Sequence, residues 1–176
     1  MRIGFCGTVS VGKTTLVNVL AQLPEFKDYQ TRTERSKYLM ELGIPLNTDS
    51  TLKGQSVFLA ERASELMLDN IITDRTIIDV MAFSQCSLSM TPDQKWEFCE
   101  FASGMLNEYD HIFYVSPEGV EIEDNSVRET NAEYRELIDH QIQVLIKHYA
   151  KSIKNIHFIS GSVEERVDKV KQVVFS

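Results

Sequence analysis

The chain has 176 residues and a net charge of −8, with 43% hydrophobic and 25% charged residues. This length predicts a single domain over 1–176, and the acidic balance argues against a broad basic surface for nucleic acid. No apolar run approaches the roughly 20 residues needed to cross a membrane. Cys6, Cys86 and Cys99 match no metal motif and indicate reduced thiols, with Cys6 in the core, so we expect a cytoplasmic protein.

A strand, a glycine-rich loop and a helix open the chain. Arg2–Cys6 is short and apolar, as a central parallel strand should be, and its early position leads us to expect no signal peptide. The next stretch, GTVSVGKTT, fits the pattern Gly, four residues, Gly-Lys-Thr. A helix is predicted over 13–23, ending before Pro24. The order of strand, loop and helix predicts a P-loop.

The predicted P-loop has a direct chemical meaning. Its glycines let the backbone fold around an anion, and the N–H groups and helix N-terminus point partial positive charge at it. From this loop, expected to be exposed, Lys13 can reach the β- and γ-phosphates, and the hydroxyl of Thr14 can hold Mg²⁺. We therefore expect ATP as donor and Mg²⁺ as its metal. The predicted donor-binding residues are Gly7, Thr8, Val9, Ser10, Val11, Gly12, Lys13, Thr14 and Thr15.

The rest of the chain alternates between predicted strands and helices. The further strands are predicted over 28–31, 70–73, 111–115 and 156–159. The further helices are predicted over 33–42, 51–68, from Ile77 onward, 91–106, 130–149 and 162–174, with capping boxes at Thr91, Thr130 and Ser162. In the helix over 51–68, the apolar spacing predicts that the inward residues are Val57, Ala60, Ala63 and Leu66 or Met67. This alternation predicts an α/β fold of the three-layer P-loop NTPase type, with a mostly five-stranded parallel sheet covered by helices on both faces.

The ends of the predicted strands narrow the class of P-loop protein. The sequence contains no Asn-Lys-x-Asp guanine-reading motif, and no predicted strand ends in the Asp-Glu pair typical of remodelling ATPases. Instead, Asp74 and Arg75 follow the strand over 70–73, where an open α/β sheet places functional side chains. The carboxylate can hold Mg²⁺ through water or accept a proton, and the arginine can neutralise phosphate charge. This pair favours phosphoryl transfer to a bound acceptor.

With these residues the chain resembles the thymidylate kinase branch of the nucleoside and nucleotide kinases. Phe58 and Arg62 are similar to that family's helical Phe-x-x-x-Arg element, and their i, i+4 spacing puts both on one helix face. Asp74-Arg75-Thr76 and Ala82-Phe83 are similar to its Asp-Arg-Tyr and Ala-Tyr/Phe elements, and Thr31-Arg32-Thr33-Glu34 to its Thr-Arg-Glu-Pro segment. The resemblance implies that an aromatic ring stacks on the acceptor's base and that the arginines contact the acceptor.

Other segments resemble a second group, the small kinases similar to ribosylnicotinamide kinase and to phage-encoded deoxynucleotide kinases. Val9-Ser10-Val11 stands where thymidylate kinases usually carry an acidic P-loop residue. The segments around Arg128 and Arg135 resemble the second group's lid, and Thr33-Glu34-Arg35 resembles its substrate segment. This resemblance implies a lid-like segment near 117–135, with an arginine that closes over the transferred phosphate.

We therefore expect an ATP-dependent kinase acting on a small-molecule acceptor, first a deoxynucleoside monophosphate similar to dTMP. A nucleoside, nicotinamide-riboside or polynucleotide kinase is the alternative, with Asp74 as base for a nucleoside hydroxyl, and a non-kinase P-loop ATPase comes third. A homodimer is compatible with this function. The expected catalytic residues are Lys13, Asp74, Arg75 and Arg128. The expected acceptor-binding residues are Arg32, Arg35, Phe58, Arg62, Arg75, Phe83 and Arg135. The expected metal-binding residues are Thr14 and, through water, Asp74.

Overall fold

The computed structural model describes residues 1–33, 36–118 and 132–176. Its strands are β1 Arg2–Cys6, β2 Gln30–Arg32, β3 Ile71–Asp74, β4 His111–Val115 and β5 Ile156–Ile159. They pair in parallel in the order β2-β3-β1-β4-β5. The predicted α/β P-loop fold with five parallel strands is confirmed. Within the described ranges, each helix is too short or too polar to span a bilayer.

Seven α-helices are described, and several begin at caps that the sequence predicts. They are α1 Lys13–Leu20, α2 Ser36–Glu41, α3 Leu52–Glu65, α4 Ile77–Cys86, α5 Pro92–Ser103, α6 Ala132–His148 and α7 Val163–Val174. The capping boxes at Thr91 and Ser162 are confirmed, while the one predicted at Thr130 lies outside the described residues. Helix α1 ends three residues before the predicted boundary, because the N–H groups of Gln22 and Leu23 bond three residues back and tighten the last turn.

The sheet separates two apolar clusters, as its pleat requires. Phe5 packs with α1 and α7 on one face, and its neighbour Cys6 packs with α3–α6 on the other. The same alternation along β4 puts Phe113 and Val115 on the first face and Ile112 and Tyr114 on the second. Successive side chains of a strand point to opposite faces, so strands buried on both sides read as continuous apolar runs. The predicted burial of Cys6 is confirmed.

Helix α3 packs on a different face from the one that its apolar residues predict. Leu66 is buried as predicted, but Ala60 and Met67 are exposed, and the side chain of Met67 is 82% exposed. The inward positions are instead occupied by Gln55, Leu59, Arg62 and Glu65. Arg62 and Glu65 can enter the core because they pair with each other. Apolar spacing places such residues on the surface, and it therefore predicts the wrong inward face for this helix.

The carboxyl ends of β1 and β3 bring the two main motifs to one edge of the sheet. Phe5 on β1 lies in register with Asp74 on β3. The loop after β1 begins at Gly7, and Arg75 directly follows β3. Open parallel sheets bind ligands at this edge. The fold therefore sets the P-loop beside the Asp74-Arg75 pair.

Candidate active site

The loop between β1 and α1 turns tightly around its own backbone. Gly7, Ser10 and Gly12 have φ angles of 152°, 56° and 82°. A Cβ atom on Gly7 would lie 2.7 Å from the carbonyl oxygen of Val115 on β4, so a larger residue does not fit there. Gly12 is the N-cap of α1, which directs the N-terminus of that helix into the loop. The loop therefore has the tight turns and the adjacent helix N-terminus that the predicted anion-binding role requires.

Lys13 is folded back over this loop rather than extended into solvent. Its ammonium donates to the carbonyl oxygens of Gly7 and Thr8 at 2.6 and 2.7 Å, and the residue is 5% exposed. The expectation of an exposed loop is wrong, because the loop's valines are buried as well. Burial lowers the pKa of Lys13 and the charge of Arg75 lowers it further, while Asp79 opposes the shift. An incoming phosphate would give this buried cation an anionic partner.

Thr14 and Asp74 join the loop to the neighbouring strand. The hydroxyl of Thr14 donates to Oδ2 of Asp74, which is 2% exposed at the end of β3. A hydroxyl oxygen beside a carboxylate is a donor set that suits Mg²⁺ with its remaining waters. These two residues therefore fit the predicted metal, which Thr14 would hold directly and Asp74 through water.

Arg75 is held in an uncommon backbone conformation beside Asp74. Its φ is 100°, which costs free energy for a residue other than glycine and is found mainly at functional positions. Its N–H donates to the carbonyl of Phe5 at 3.0 Å, and its own carbonyl accepts from the hydroxyl of Thr73 at 2.9 Å. The guanidinium carbon lies 4.8 Å from the ring centre of Phe83. The structure thus brings together Arg75 and Phe83, two of the predicted acceptor residues.

Arg62 lies inside the protein, not on an open surface. It is 2% exposed, and its Nη2 donates to Oε1 of Glu65 at 2.7 Å and lies 3.8 Å from Oε2 of Glu61. Its Nε has no hydrogen-bond partner in the described part of the chain. Burial raises the pKa of Glu65, and the charge of Arg62 opposes that shift. Any acceptor contact made by Arg62 must therefore share the guanidinium with an existing ion pair.

The other predicted acceptor residues on β2 and α3 are more open. Arg32 is exposed at the end of β2, where its guanidinium donates to the Thr31 carbonyl and the Gln30 side chain. Its charge also lowers the pKa of Glu65. Phe58 is half-buried against the cluster under α3–α6. Arg35 and Arg128 lie outside the described residues.

Arg135 lies in the first turn of α6, next to the P-loop. Its backbone carbonyl accepts from the hydroxyl of Thr8 at 2.8 Å. Its side chain lines a cavity of about 550 Å³, together with Tyr114, Ser116 and Asp139. Its Nε and Nη2 have no hydrogen-bond partner among residues 1–33, 36–118 and 132–176. Arg135 therefore lies beside the loop that is expected to hold the donor.

Asp79 and Arg166 bond to the P-loop but were not predicted from the sequence. Asp79 is fully buried on α4 and accepts from the N–H of Gly7 at 3.2 Å. Its spacing three residues after Thr76 is a capping-box signal that could have identified it. Arg166 on α7 is 3% exposed, and its Nη1 donates to the carbonyl of Val11 at 2.7 Å. No local signal marks Arg166, because its partner is 155 residues away.

Comparison with known proteins defines the class of this chain. A family model described as an AAA domain matches residues 2–166, so the chain belongs to this AAA domain family. No curated protein matches the sequence.

Several solved structures share the fold over nearly the whole chain. A deoxyadenosine kinase from M. mycoides with bound dATP has a TM-score of 0.66 at 17% identity, covering 100% of both chains. The same enzyme with products dCMP and a flexible dCDP has a TM-score of 0.62 at 17% identity, covering 99% of this chain and 97% of that one. The YorR protein of Bacillus subtilis, in complex with phosphorylated GDP, has a TM-score of 0.57 at 16% identity, covering 99% and 96%. The predicted resemblance to P-loop nucleoside and nucleotide kinases is confirmed at the level of the fold.

Proposed function

We propose that the chain is a Mg²⁺-dependent kinase that transfers the γ-phosphoryl group of ATP to a deoxynucleoside monophosphate, with a dTMP-like acceptor as the first candidate. The observation that supports this best is the bond between the Thr14 hydroxyl and Asp74, beside two cations, the buried Lys13 and the half-buried Arg75. A phosphoryl-transfer site needs a metal-binding pair and fixed positive charge around one point. All four residues meet at the carboxyl edge of β1 and β3.

The donor half of the site consists of the loop 7–15 and Asp74. The loop N–H groups and Lys13 hold the β- and γ-phosphates of ATP. Thr14, with Asp74 behind it, would hold Mg²⁺, which when bound supplies positive charge to the phosphate oxygens. An oxygen of the acceptor attacks the γ-phosphorus, the bond to the β,γ-bridging oxygen breaks, and ADP leaves. Lys13 and Arg75 stabilise the charge that develops on the transferred group.

The acceptor half consists of Arg32, Phe58, Arg62, Arg75 and Phe83. Arg75 lies on the face of Phe83, so its guanidinium is fixed for contact with an acceptor phosphate. Arg32 and Arg62 provide further positive charge on the side of β2 and α3. Arg35 and the predicted lid arginine Arg128 complete this proposal from the sequence alone, with Arg128 closing over the transferred phosphate.

The hydrogen bond between Asp74 and Thr14 supports a monophosphate acceptor over a nucleoside acceptor. A nucleoside hydroxyl requires a base within hydrogen-bond reach, whereas a phosphate oxygen is already ionised near neutral pH. Asp74 is buried and accepts from Thr14, which directs its carboxylate towards the metal side of the site. This geometry favours a role for Asp74 in organising Mg²⁺.

A nucleoside kinase is the second candidate function. The M. mycoides deoxyadenosine kinase shares the fold over the full length of both chains, which favours a nucleoside acceptor. In that reaction Asp74 would have to accept the proton of the acceptor hydroxyl while its Oδ2 accepts from Thr14.

A panel of acceptors, incubated with ATP and Mg²⁺, tests the proposal. It contains deoxynucleoside monophosphates, deoxynucleosides, nicotinamide riboside and a single-stranded oligonucleotide with a free 5′-hydroxyl, and ADP release is followed for each. We expect the monophosphates, dTMP first, to stimulate ADP release. Stimulation by nucleosides alone would support the second candidate. An ADP release rate that no acceptor changes would contradict both kinase proposals.

A further inference from the structure

Asp79 is a buried carboxylate that contacts both halves of the proposed site. Its Oδ1 accepts from the backbone N–H of Gly7 at 3.2 Å, and its Oδ2 accepts from the N–H and hydroxyl of Thr76 at 2.7 and 3.0 Å. The Nη1 atom of Arg75 lies 4.0 Å from Oδ1. One fully buried side chain therefore touches the start of the P-loop, the start of α4 and the acceptor arginine.

Helix capping explains only one of the two carboxylate oxygens. Oδ2 closes the capping box with Thr76, as expected at the third position of a helix. The same box is closed on α5 by Gln94 and on α7 by Glu165, and within the described ranges those side chains bond only to their own helix N-termini. Oδ1 of Asp79 instead crosses to Gly7, 72 positions away. The second contact needs an explanation beyond the stability of α4.

The first glycine of the loop is held from two sides. On one side, the Val115 carbonyl lies so close that a Cβ atom on Gly7 would clash with it. On the other side, the N–H of Gly7 donates to Asp79, a bond that the negative charge strengthens. Lys13 donates to the carbonyl of the same glycine. The position of Gly7 therefore fixes the start of the loop and the carbonyl oxygen to which the Lys13 ammonium is bonded.

We propose that Asp79 is a positioning residue that holds the first glycine of the P-loop and the guanidinium of Arg75 in one arrangement, ready for a nucleotide phosphate. This inference deepens the proposed function and rests on it for the acceptor half only. Asp79 also gives Lys13 and Arg75 a buried counter-charge, and buried charges require such partners.

A positioning role and a role as counter-charge alone predict different results for Asp79→Glu, which keeps the negative charge and displaces the carboxylate. Counter-charge alone predicts wild-type nucleotide binding in Asp79→Glu, whereas loss of the charge acts in two directions, because it reduces repulsion of the phosphates and also lowers the pKa of Lys13 further. Releasing Gly7 disorders the loop that binds the phosphates, so positioning predicts weaker binding. A capping role alone predicts a lower melting temperature with unchanged binding.

The test is the dissociation constant of ADP with Mg²⁺, measured by isothermal titration calorimetry for the wild type and Asp79→Asn. Asparagine keeps the size of the side chain and removes its charge. We expect ADP to bind about tenfold more weakly, the size of one hydrogen bond to a charged group. Unchanged or tighter binding would overturn the proposal.

Gln94→Ala is the matched control, because it opens the capping box of α5 far from the P-loop. It should lower the melting temperature and leave the ADP dissociation constant unchanged. Asp79→Glu is measured beside Asp79→Asn, since it keeps the charge and displaces the carboxylate by one methylene. The same weakening is expected, and wild-type affinity in Asp79→Glu would overturn the proposal.

The acceptor half is tested separately by turnover. In an active wild type, Asp79→Asn should raise the KM of the acceptor as well as that of ATP, through Arg75, and an unchanged acceptor KM would overturn that part. If the wild type phosphorylates no member of the acceptor panel, the proposed function fails. The ADP measurement would still decide whether Asp79 positions the P-loop.

Discussion

The two halves of the proposed site differ in how their side chains are held. In the donor half, side chains bond to the loop and to the neighbouring strand, whereas the arginines of the acceptor half range from buried to exposed. Lys13 bonds to its own loop, and Thr14 bonds to Asp74 on the neighbouring strand. Arg62 is buried in an ion pair, while Arg32 is exposed. The side chains of the proposed donor half are therefore held by hydrogen bonds to its own loop and strand, whereas the arginines of the proposed acceptor half differ in burial and in partners.

This difference matches the ligand that each half is proposed to recognise. A triphosphate presents the same anionic oxygens in every donor, so a rigid backbone loop suits it. An acceptor is distinguished by its base and by its 5′ group, so its site depends on side chains from β2, α3 and α4. The following predictions test whether this division is correct, beginning with the largest expected effect.

Lys13→Met should lower kcat about a thousandfold, because it removes charge stabilisation of the transferred phosphoryl group. The methionine stem keeps the volume of the buried chain. The measurement is steady-state ADP release with saturating acceptor. Lys13→Arg is the control that keeps the charge and should lose less activity. Near-normal turnover in Lys13→Met would contradict the proposed role of Lys13 in phosphoryl transfer.

Arg62→Met should lower the free energy of unfolding by about 3 kcal/mol, because it leaves the Glu65 carboxylate buried without its partner. Urea unfolding followed by circular dichroism measures this change. In an active enzyme the variant should also raise the KM of the acceptor more than that of ATP.

Arg32→Met is the matched control for Arg62→Met, because Arg32 is exposed. Its unfolding free energy should stay within about 0.5 kcal/mol of the wild type. Equal destabilisation by the two substitutions would show that the burial of Arg62 does not distinguish it from Arg32.

Asp74→Asn should weaken the apparent affinity for Mg²⁺ about 10–100-fold, the usual cost of removing a partner of a metal ligand. A Mg²⁺ titration of ADP release measures it. High Mg²⁺ should restore part of the activity. A loss of kcat that no Mg²⁺ concentration restores would instead indicate that Asp74 is the base for a nucleoside hydroxyl.

Glu65→Gln should change how stability depends on pH, and this is the smallest effect. Burial raises the pKa of Glu65 above its ordinary value of 4.5, so the folded state binds more protons than the unfolded state. The stabilisation that this proton binding gives the folded state is fully present below pH 4.5, and it is lost as the pH rises through the pKa of Glu65 in the folded protein. The melting temperature of Glu65→Gln relative to the wild type should therefore rise with pH.

Arg62→Met provides the comparison for that experiment. The charge of Arg62 holds the pKa of Glu65 down, so its removal should extend the loss of stability to higher pH. If the difference in melting temperature between Glu65→Gln and the wild type stayed constant from pH 4.5 to neutrality, the raised pKa of Glu65 would be contradicted.

Much of the fold follows from local signals in the sequence. The bounds of β1, β4 and β5 coincide with the predicted runs. For β1 and β4 the reason is that strands covered on both faces need continuous apolar residues. The caps at Thr91 and Ser162 are local hydrogen bonds and were predicted as such. The P-loop is also local, since its glycines, Lys13 and Thr14 lie within one turn and the start of a helix.

The inward face of α3, the burial of Lys13 and the contacts of Arg166 and Asp79 are decided only by the tertiary structure. Apolar spacing places Arg62 and Glu65 on the surface, whereas their mutual ion pair lets them enter the core. Arg166 meets Val11 only because α7 packs against α1 and the loop. The sequence by itself determined the P-loop motif and its place between a strand and a helix. Which distant charges lie around that loop depends on packing, because those pairs are separated by 60 or more positions in the chain.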